Sequence, residues 1–415
     1  MKDRINNEIS RRMEELAGIS RYLYENPELG DQEYKAVKLL TDFFSKNGFT
    51  VECPIYGLET TFRAVYDSKK EGANIAFFCE YDALPQIGHG CGHNLISAMS
   101  AGAALGLKSV LDEIGGKITV FGTQAEETSG VKGTLADNGA YEGITVAMMA
   151  HPSAVSEESG SSLALNAIKF EFFGKTAHAA AAPEKGINAL DGVILMYNGI
   201  NALRQHVTSD VRIHGIISSG GAAPNIVPDY AEAKFYIRAR EKRNLEEVVA
   251  KVKNIAEGAA MMTGATVKYG KFENSYDDLL TNRTLSELFS ANLRAAGESV
   301  IRPASEGVGS IDMGNVSHAV PAIHPWIGIG DPSLIIHSKE FADYTVTKQG
   351  EAAIKKGAYA LAATAYDVIV SRRSGKRSGR SLKPQPDENL SGCGWQLSII
   401  FEGADKEQEK WEVIN

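Results

Sequence analysis

Cysteine is scarce in this chain. Four occur in 415 residues, and Cys53, Cys79, Cys91 and Cys393 show no paired spacing. That argues against a disulfide framework and favours a reducing compartment, so a cytoplasmic protein is expected. Long hydrophobic runs are missing too. No stretch approaches the ~18 uninterrupted apolar residues of a membrane span, so no membrane partner is expected. Cations are not in excess: 43 Lys and Arg stand against 52 Asp and Glu, for a formal net charge of -9. Phosphate binding needs clustered Lys and Arg, so nucleic acid is not an expected partner. The opening MKDRINNEISRRMEELAGIS lacks the ~7–15-residue apolar core of a signal peptide and reads as an amphipathic helix.

The length predicts two domains. Residues 5–47 carry apolar positions at helical spacing, broken at Asn26-Pro27-Glu28, which predicts two helices. Then NIAFFCEYDALP (74–85), ITVFGTQAEE (118–127) and TVAMMAHPS (145–153) read as short apolar strands ending in polar groups. The small-residue stretch 95–114 reads as a helix between the first two. Strands alternating with helices predict an α/β fold with a mostly parallel sheet, whose ligand site lies beyond the carboxyl ends of the strands. From about 163 the texture changes. Segments 162–176, 212–221, 230–240 and 266–273 read as strands, and 188–205 and 246–264 as helices. This β-α-β-β-α-β order predicts an inserted ferredoxin-like α+β unit. The expected organisation is a discontinuous domain over 1–163 and 282–370, an insert over 164–281, and an atypical, unstructured tail over 371–415.

Chemistry gathers at the expected strand ends. Cys91 and His93 sit two apart in the loop GHGCGHN (88–94). Glu126-Glu127 closes the second strand, His151 closes the third, and His337 stands far downstream in LIIHSKE. Thiolate, imidazole and carboxylate are what a borderline transition metal selects. Gly90 and Gly92 allow the tight turn that lets Cys91 and His93 face one point. Of two adjacent carboxylates, one can hold metal while the other stays free as a base. Each residue alone has a bland reading: a structural histidine, a solvated glutamate turn, a small buried thiol. Their joint occurrence at successive strand ends is harder to dismiss, and on these residues alone a metal site and the bland readings both stay open.

A wider set of stretches carries a resemblance. YDALPQIGHGCGHNLISA (81–98), GTQAEETSGVKG (122–133), AHP (150–152), GKTAHAAAAPEKGINALDG (174–192), APNIVPD (223–229) and GSIDMGNVS (309–317) occur in this order, with a later His-Ser pair. Together they resemble the aminoacylase and glutamate-carboxypeptidase family, metallopeptidase family twenty, over roughly residues 10–370. The resemblance is strongest to its branch of aminobenzoyl-glutamate hydrolases, N-acyl-amino-acid amidohydrolases and related dipeptidases. It implies a catalytic α/β domain, an inserted lid or dimerisation domain, a homodimer and two divalent metal ions. Zinc suits the donors, and manganese or cobalt would also serve.

Position by position, the resemblance implies Cys91, His93, Glu127, His151 and His337 as metal ligands, with Cys91 bridging. It implies Glu126 as general base and Asp82 as an acid beside a ligand. His178 would steady the oxyanion across the dimer, and Asn225 and Arg238 would contact substrate. Glu80 stands where other branches carry a metal-binding histidine, a departure that fits a branch using Cys91 and His93. The activity implied is hydrolysis of a small N-acyl amino acid, an aminobenzoyl-glutamate-like compound or a dipeptide. Two rivals stay open: a catalytically silent protein that binds such a molecule, and a cysteine hydrolase built on Cys91.

Overall fold

A computed structural model of the protein describes residues 1–373 except Val308. Among these residues twelve strands form three sheets: β1 (Thr50–Glu52), β2 (Phe62–Asp67), β3 (Asn74–Glu80), β4 (Lys117–Thr123), β5 (Val146–Met148), β6 (His151–Ser153), β7 (Ala164–Phe173), β8 (Arg212–Ser219), β9 (Tyr230–Ala239), β10 (Thr266–Lys271), β11 (Ala322–Ile323) and β12 (Trp326–Gly328).

The first sheet has the order β1-β2-β4-β3-β5-β11. Its neighbours from β4 to β11 run parallel, whereas β2 pairs antiparallel with both β4 and β1. After their first residues, β3 and β4 are buried throughout. That is the pattern of strands covered on both faces, and it explains why they read as apolar runs rather than alternations. The crossover from β3 to β4 is the helix His93–Ile114. By length and composition this helix could cross a membrane, but 89% of its apolar window is buried inside the protein, so it is a core helix. Its small residues permit close packing: a Cβ on Gly106 would come within 2.9 Å of Ile9, and one on Gly102 within 2.8 Å of Ala358.

Three details differ from the sequence reading. The N-terminal region forms three helices, Lys2–Arg11, Met13–Glu25 and Tyr34–Lys46. The extra break at Arg12 (φ -97°, ψ 0°) lets Ile5 and Ile9 on one segment, and Leu16 on the next, all pack into the core. The stretch 145–153 is two strands in different sheets: β5 pairs with β3 and β11, while β6 pairs with β12, Trp326 opposite His151. The stretch 371–384 is not wholly irregular, because the final helix runs Lys348–Arg373; residues 374–415 lie outside the described residues.

The second sheet has the order β10-β7-β9-β8, all antiparallel, with the helices Ala189–Leu203 and Lys242–Thr263 between its strands in sequence. This is the ferredoxin-like arrangement read from the sequence. In β9 burial alternates strictly, with Ala231, Ala233, Phe235, Ile237 and Ala239 inward. One face of the sheet therefore packs on the helices and the other does not. Asn188 starts the first of these helices, its side-chain oxygen accepting from the Leu190 and Asp191 amides.

Candidate active site

The polar groups converge beyond the carboxyl ends of β3 and β4 and at the start of β6, where His151 opens a strand instead of closing one. The glycine turn works as anticipated: Gly92 (φ +77°) is the N-cap of the helix His93–Ile114, and a Cβ there would lie 2.4 Å from Pro152. The turn thus brings Cys91 and His93 up to the β6 segment. Cys91 Sγ lies 3.4 Å from His151 Nε2. His337, held at φ +69°, donates its amide to the Gly90 carbonyl at 2.8 Å, so a distant segment is tied to the same loop. Glu126 and Glu127 do not close β4. That strand ends at Thr123, and the pair lies in the turn beyond it.

Three groups of donors come close together. Cys91, His93 and His151 have ligand atoms within 4.8 Å of one another; so do Cys91, Glu127 and His337, and so do His93, Glu126 and Glu127. The first two groups share Cys91. All five residues expected as ligands and the expected base are therefore gathered in one place.

The free valences of these side chains point inward. His93 Nδ1 lies 2.9 Å from both the backbone carbonyl and a carboxylate oxygen of Asp82. Nδ1 therefore keeps its hydrogen on Asp82, and Nε2, buried and without a hydrogen-bond partner, is the nitrogen that would give up its proton and offer a lone pair to a metal ion. His151 Nδ1 faces the Pro152 carbonyl at 2.8 Å, which likewise leaves Nε2 free toward Cys91. Glu127 Oε1 is also buried and without a hydrogen bond, though His337 Nε2 is 3.3 Å away. Buried polar atoms are rarely left unpaired. Unpaired donors of these types, oriented from behind, are what a transition-metal site requires, so the residues fit such an ion.

Electrostatics follow from burial and charge crowding. Burial works against a charged His93, yet the Asp82 carboxylate holds its pKa well above the usual value. Burial pushes the Glu126 carboxyl up, with Glu80, Asp312 and Glu127 adding to it. Burial would raise Glu127 too, but His337 and His93 bring it down. The adjacent carboxylates are thus pushed in opposite directions, the pattern of one proton carrier beside one permanent anion.

Several residues beside the site escaped the sequence reading. Lys132 is fully buried and pairs with Glu80 and Asp312, each at 2.6 Å. The departure at Glu80 is thus matched by a buried cation, and the free Glu80 oxygen lies 3.6 Å from His93 Nε2. Lys132 and Asp312 sit inside stretches quoted for the resemblance, but nothing local distinguishes them from surface residues. Glu33 is completely buried and accepts from the Ala125 amide at 2.8 Å and the Thr60 hydroxyl at 2.9 Å.

His178, Asn225 and Arg238 lie elsewhere. Asn225 accepts the Ala179 amide through its backbone at 3.0 Å, so the segments carrying the first two lie side by side. His178 is exposed; its Nδ1 accepts from the Ala180 and Ala181 amides, leaving the proton on an outward Nε2. Arg238, on β9, reaches Ser310 at 3.5 Å. Among the described residues, none of their hydrogen bonds reaches the Cys91 cluster.

Residues 164–261 match the peptidase dimerisation domain of the M20 peptidases. Over 388 residues the chain is 37% identical to the Xaa-Arg dipeptidase of Mus musculus, covering 89% of each. It is 33% identical to a chain of the p-aminobenzoyl-glutamate hydrolase of Escherichia coli, over 64% of this chain and 59% of that one. A dinuclear metal-binding M20 peptidase from Bacillus subtilis has the same fold, with a TM-score of 0.60 over 87% of this chain and 100% of that one at 17% identity. Together these findings define a metal-dependent amidohydrolase. The chain belongs to the M20 peptidase family.

Proposed function

We propose that the protein binds two divalent metal ions, zinc by the softness of its donors, and hydrolyses a dipeptide whose C-terminal residue is basic. The observation that carries this is the pair of donor groups meeting at Cys91: Cys91, His93 and His151 for one ion, and Cys91, Glu127 and His337 for the other. The basic residue comes from the likeness to the Xaa-Arg dipeptidases of mouse and human. Aminobenzoyl-glutamate and N-acyl amino acids are the nearest alternatives.

When bound, the ions polarise the scissile carbonyl and make water acidic enough to attack near neutral pH. Glu126 takes the proton of the attacking water and returns it to the leaving nitrogen. Asp82 holds the His93 ring, and its other carboxylate oxygen accepts the Glu127 amide at 3.0 Å, so one side chain orients two ligands. His178, with its proton on Nε2, donates to the substrate carbonyl oxygen as charge develops there. Asn225 contacts the substrate, and the Arg238 guanidinium pairs with its terminal carboxylate.

We take residues 164–281 as the unit through which a homodimer forms, with His178 acting across it. The match to a dimerisation domain, and the exposure of His178 away from the cluster, support this. The free thiols Cys53, Cys79 and Cys91 support a cytoplasmic location.

The test is metal content together with turnover, before and after chelation. The substrates are dipeptides ending in arginine or lysine, N-acyl amino acids and aminobenzoyl-glutamate. Two ions per chain and chelator-sensitive release of the basic amino acid are expected. Metal and ligand binding without turnover would point instead to a silent binding protein. Activity indifferent to chelation would return Cys91 to consideration as a nucleophile.

A further inference from the structure

The turn that presents Glu126 and Glu127 is strained and is held from two sides. Ala125 adopts φ +54°, a left-handed conformation unfavourable for a residue with a Cβ. From the N-terminal side, buried Glu33 accepts the Ala125 amide. From the other side, the Tyr276 hydroxyl donates to the Glu126 carbonyl at 2.9 Å and lies 3.3 Å from that of Thr128. Tyr276 is 7% exposed, and its ring packs against Gly130 at the end of the turn. A Cβ on Gly130 would lie 2.1–2.6 Å from ring atoms and the hydroxyl, so glycine makes room for the phenol.

Tyr276 is not part of the catalytic sheet. Its backbone pairs with Leu165 in both directions, the Leu165 amide donating at 2.8 Å and the Tyr276 amide at 3.0 Å. Leu165 is the second residue of β7, the strand that joins β9 to β10. One phenol thus spans from the root of the four-stranded sheet to the backbone of the carboxylate pair.

We propose that Tyr276 is a positioning residue that couples the root of the four-stranded sheet to the turn carrying Glu126 and Glu127. A shift of that sheet at its root moves the carbonyl that the phenol holds, and with it both carboxylates. Placement within a fraction of an ångström governs proton transfer, so this contact acts on turnover and on metal affinity more than on substrate affinity. The inference rests on the proposed roles of Glu126 as base and Glu127 as ligand.

Tyr276→Phe keeps the ring and removes only the hydroxyl. In the full chain, kcat on a dipeptide ending in arginine is expected to fall roughly tenfold with KM within about twofold. Zinc affinity of the metal-free protein, read by competition with a chromogenic chelator, is expected to weaken about tenfold for one equivalent. Thermal stability should change little. Unchanged kcat and unchanged zinc affinity would overturn the proposal and leave a packing tyrosine. Glu126→Gln, assayed beside it, separates the two levels. If Glu126→Gln is inactive while Tyr276→Phe is unaffected, only the coupling fails; if Glu126→Gln is fully active, the assignment of the base fails as well.

Discussion

The two sheets of this protein spend their polar residues differently. Between residues 164 and 273 no polar or charged side chain is fully buried among the described residues, and the core under the four-stranded sheet is made of Phe170, Phe172, Phe235 and aliphatic neighbours. Around the six-stranded sheet, buried Glu33, Glu80, Asp82, His89, His93, Lys132, His151, Asp312 and His324 crowd together. Burying so many ionisable groups costs stability unless they pair with one another or with ions. One region is therefore organised for packing, and the other gives up stability to hold chemistry. The boundary between them is crossed by the Tyr276 hydroxyl.

The largest effect that would break this contrast is at Lys132. Lys132→Met leaves Glu80 and Asp312 buried without a cation, and a loss of about 3–5 kcal/mol in urea unfolding is expected. Full stability in that variant would mean the cluster is wetter or softer than its burial indicates. In the other region, Phe235→Ala removes a ring packed against Phe170 and Tyr197 and should cost a similar ~3–5 kcal/mol. Metal content distinguishes them: it should survive Phe235→Ala at temperatures where that variant is folded, and drop in Lys132→Met. Glu126→Gln should cut kcat at least ~100-fold while leaving bound metal and the melting temperature nearly unchanged.

The smallest effect is a matter of pH. Burial, reinforced by Asp82, pushes the Glu33 carboxyl up to about 7. The folded state thus binds a proton that the unfolded state has already released above about 4.5. Stability from this group falls as pH rises from about 4.5 through about 7, and the loss is complete above that. Glu33→Gln removes the titration, so its melting temperature relative to wild type should be higher at pH 8 than at pH 5. A parallel shift at both pH values would show that Glu33 stays ionised in the fold.

Much of the scaffold was legible in the residues because it is written at short range. The alternation of β9, the apolar runs of β3 and β4 and the turn at Gly92 each reflect local backbone geometry and local burial. The errors also have local causes. Met149 and Ala150 continue the apolar run between β5 and β6, so nothing in composition marks the strand's change of sheet. The break at Arg12 is a packing decision that places Ile9 and Leu16 against one core helix.

By itself, then, the chain's order of residues determined most of the strands and helices, which loop turns at glycine, and which side chains have the donor atoms for metal, while the strands β1 and β2 went unread. Tertiary structure alone decided that the donor groups from four separate segments meet at Cys91. It alone paired Glu80 and Asp312 with Lys132 and put Glu33 and Tyr276 on either side of one strained turn. The physical reason is range. Periodicity and turn chemistry act over a few residues. A buried charge finds its partner, and a hydroxyl its carbonyl, only after the core has brought distant segments within hydrogen-bonding distance.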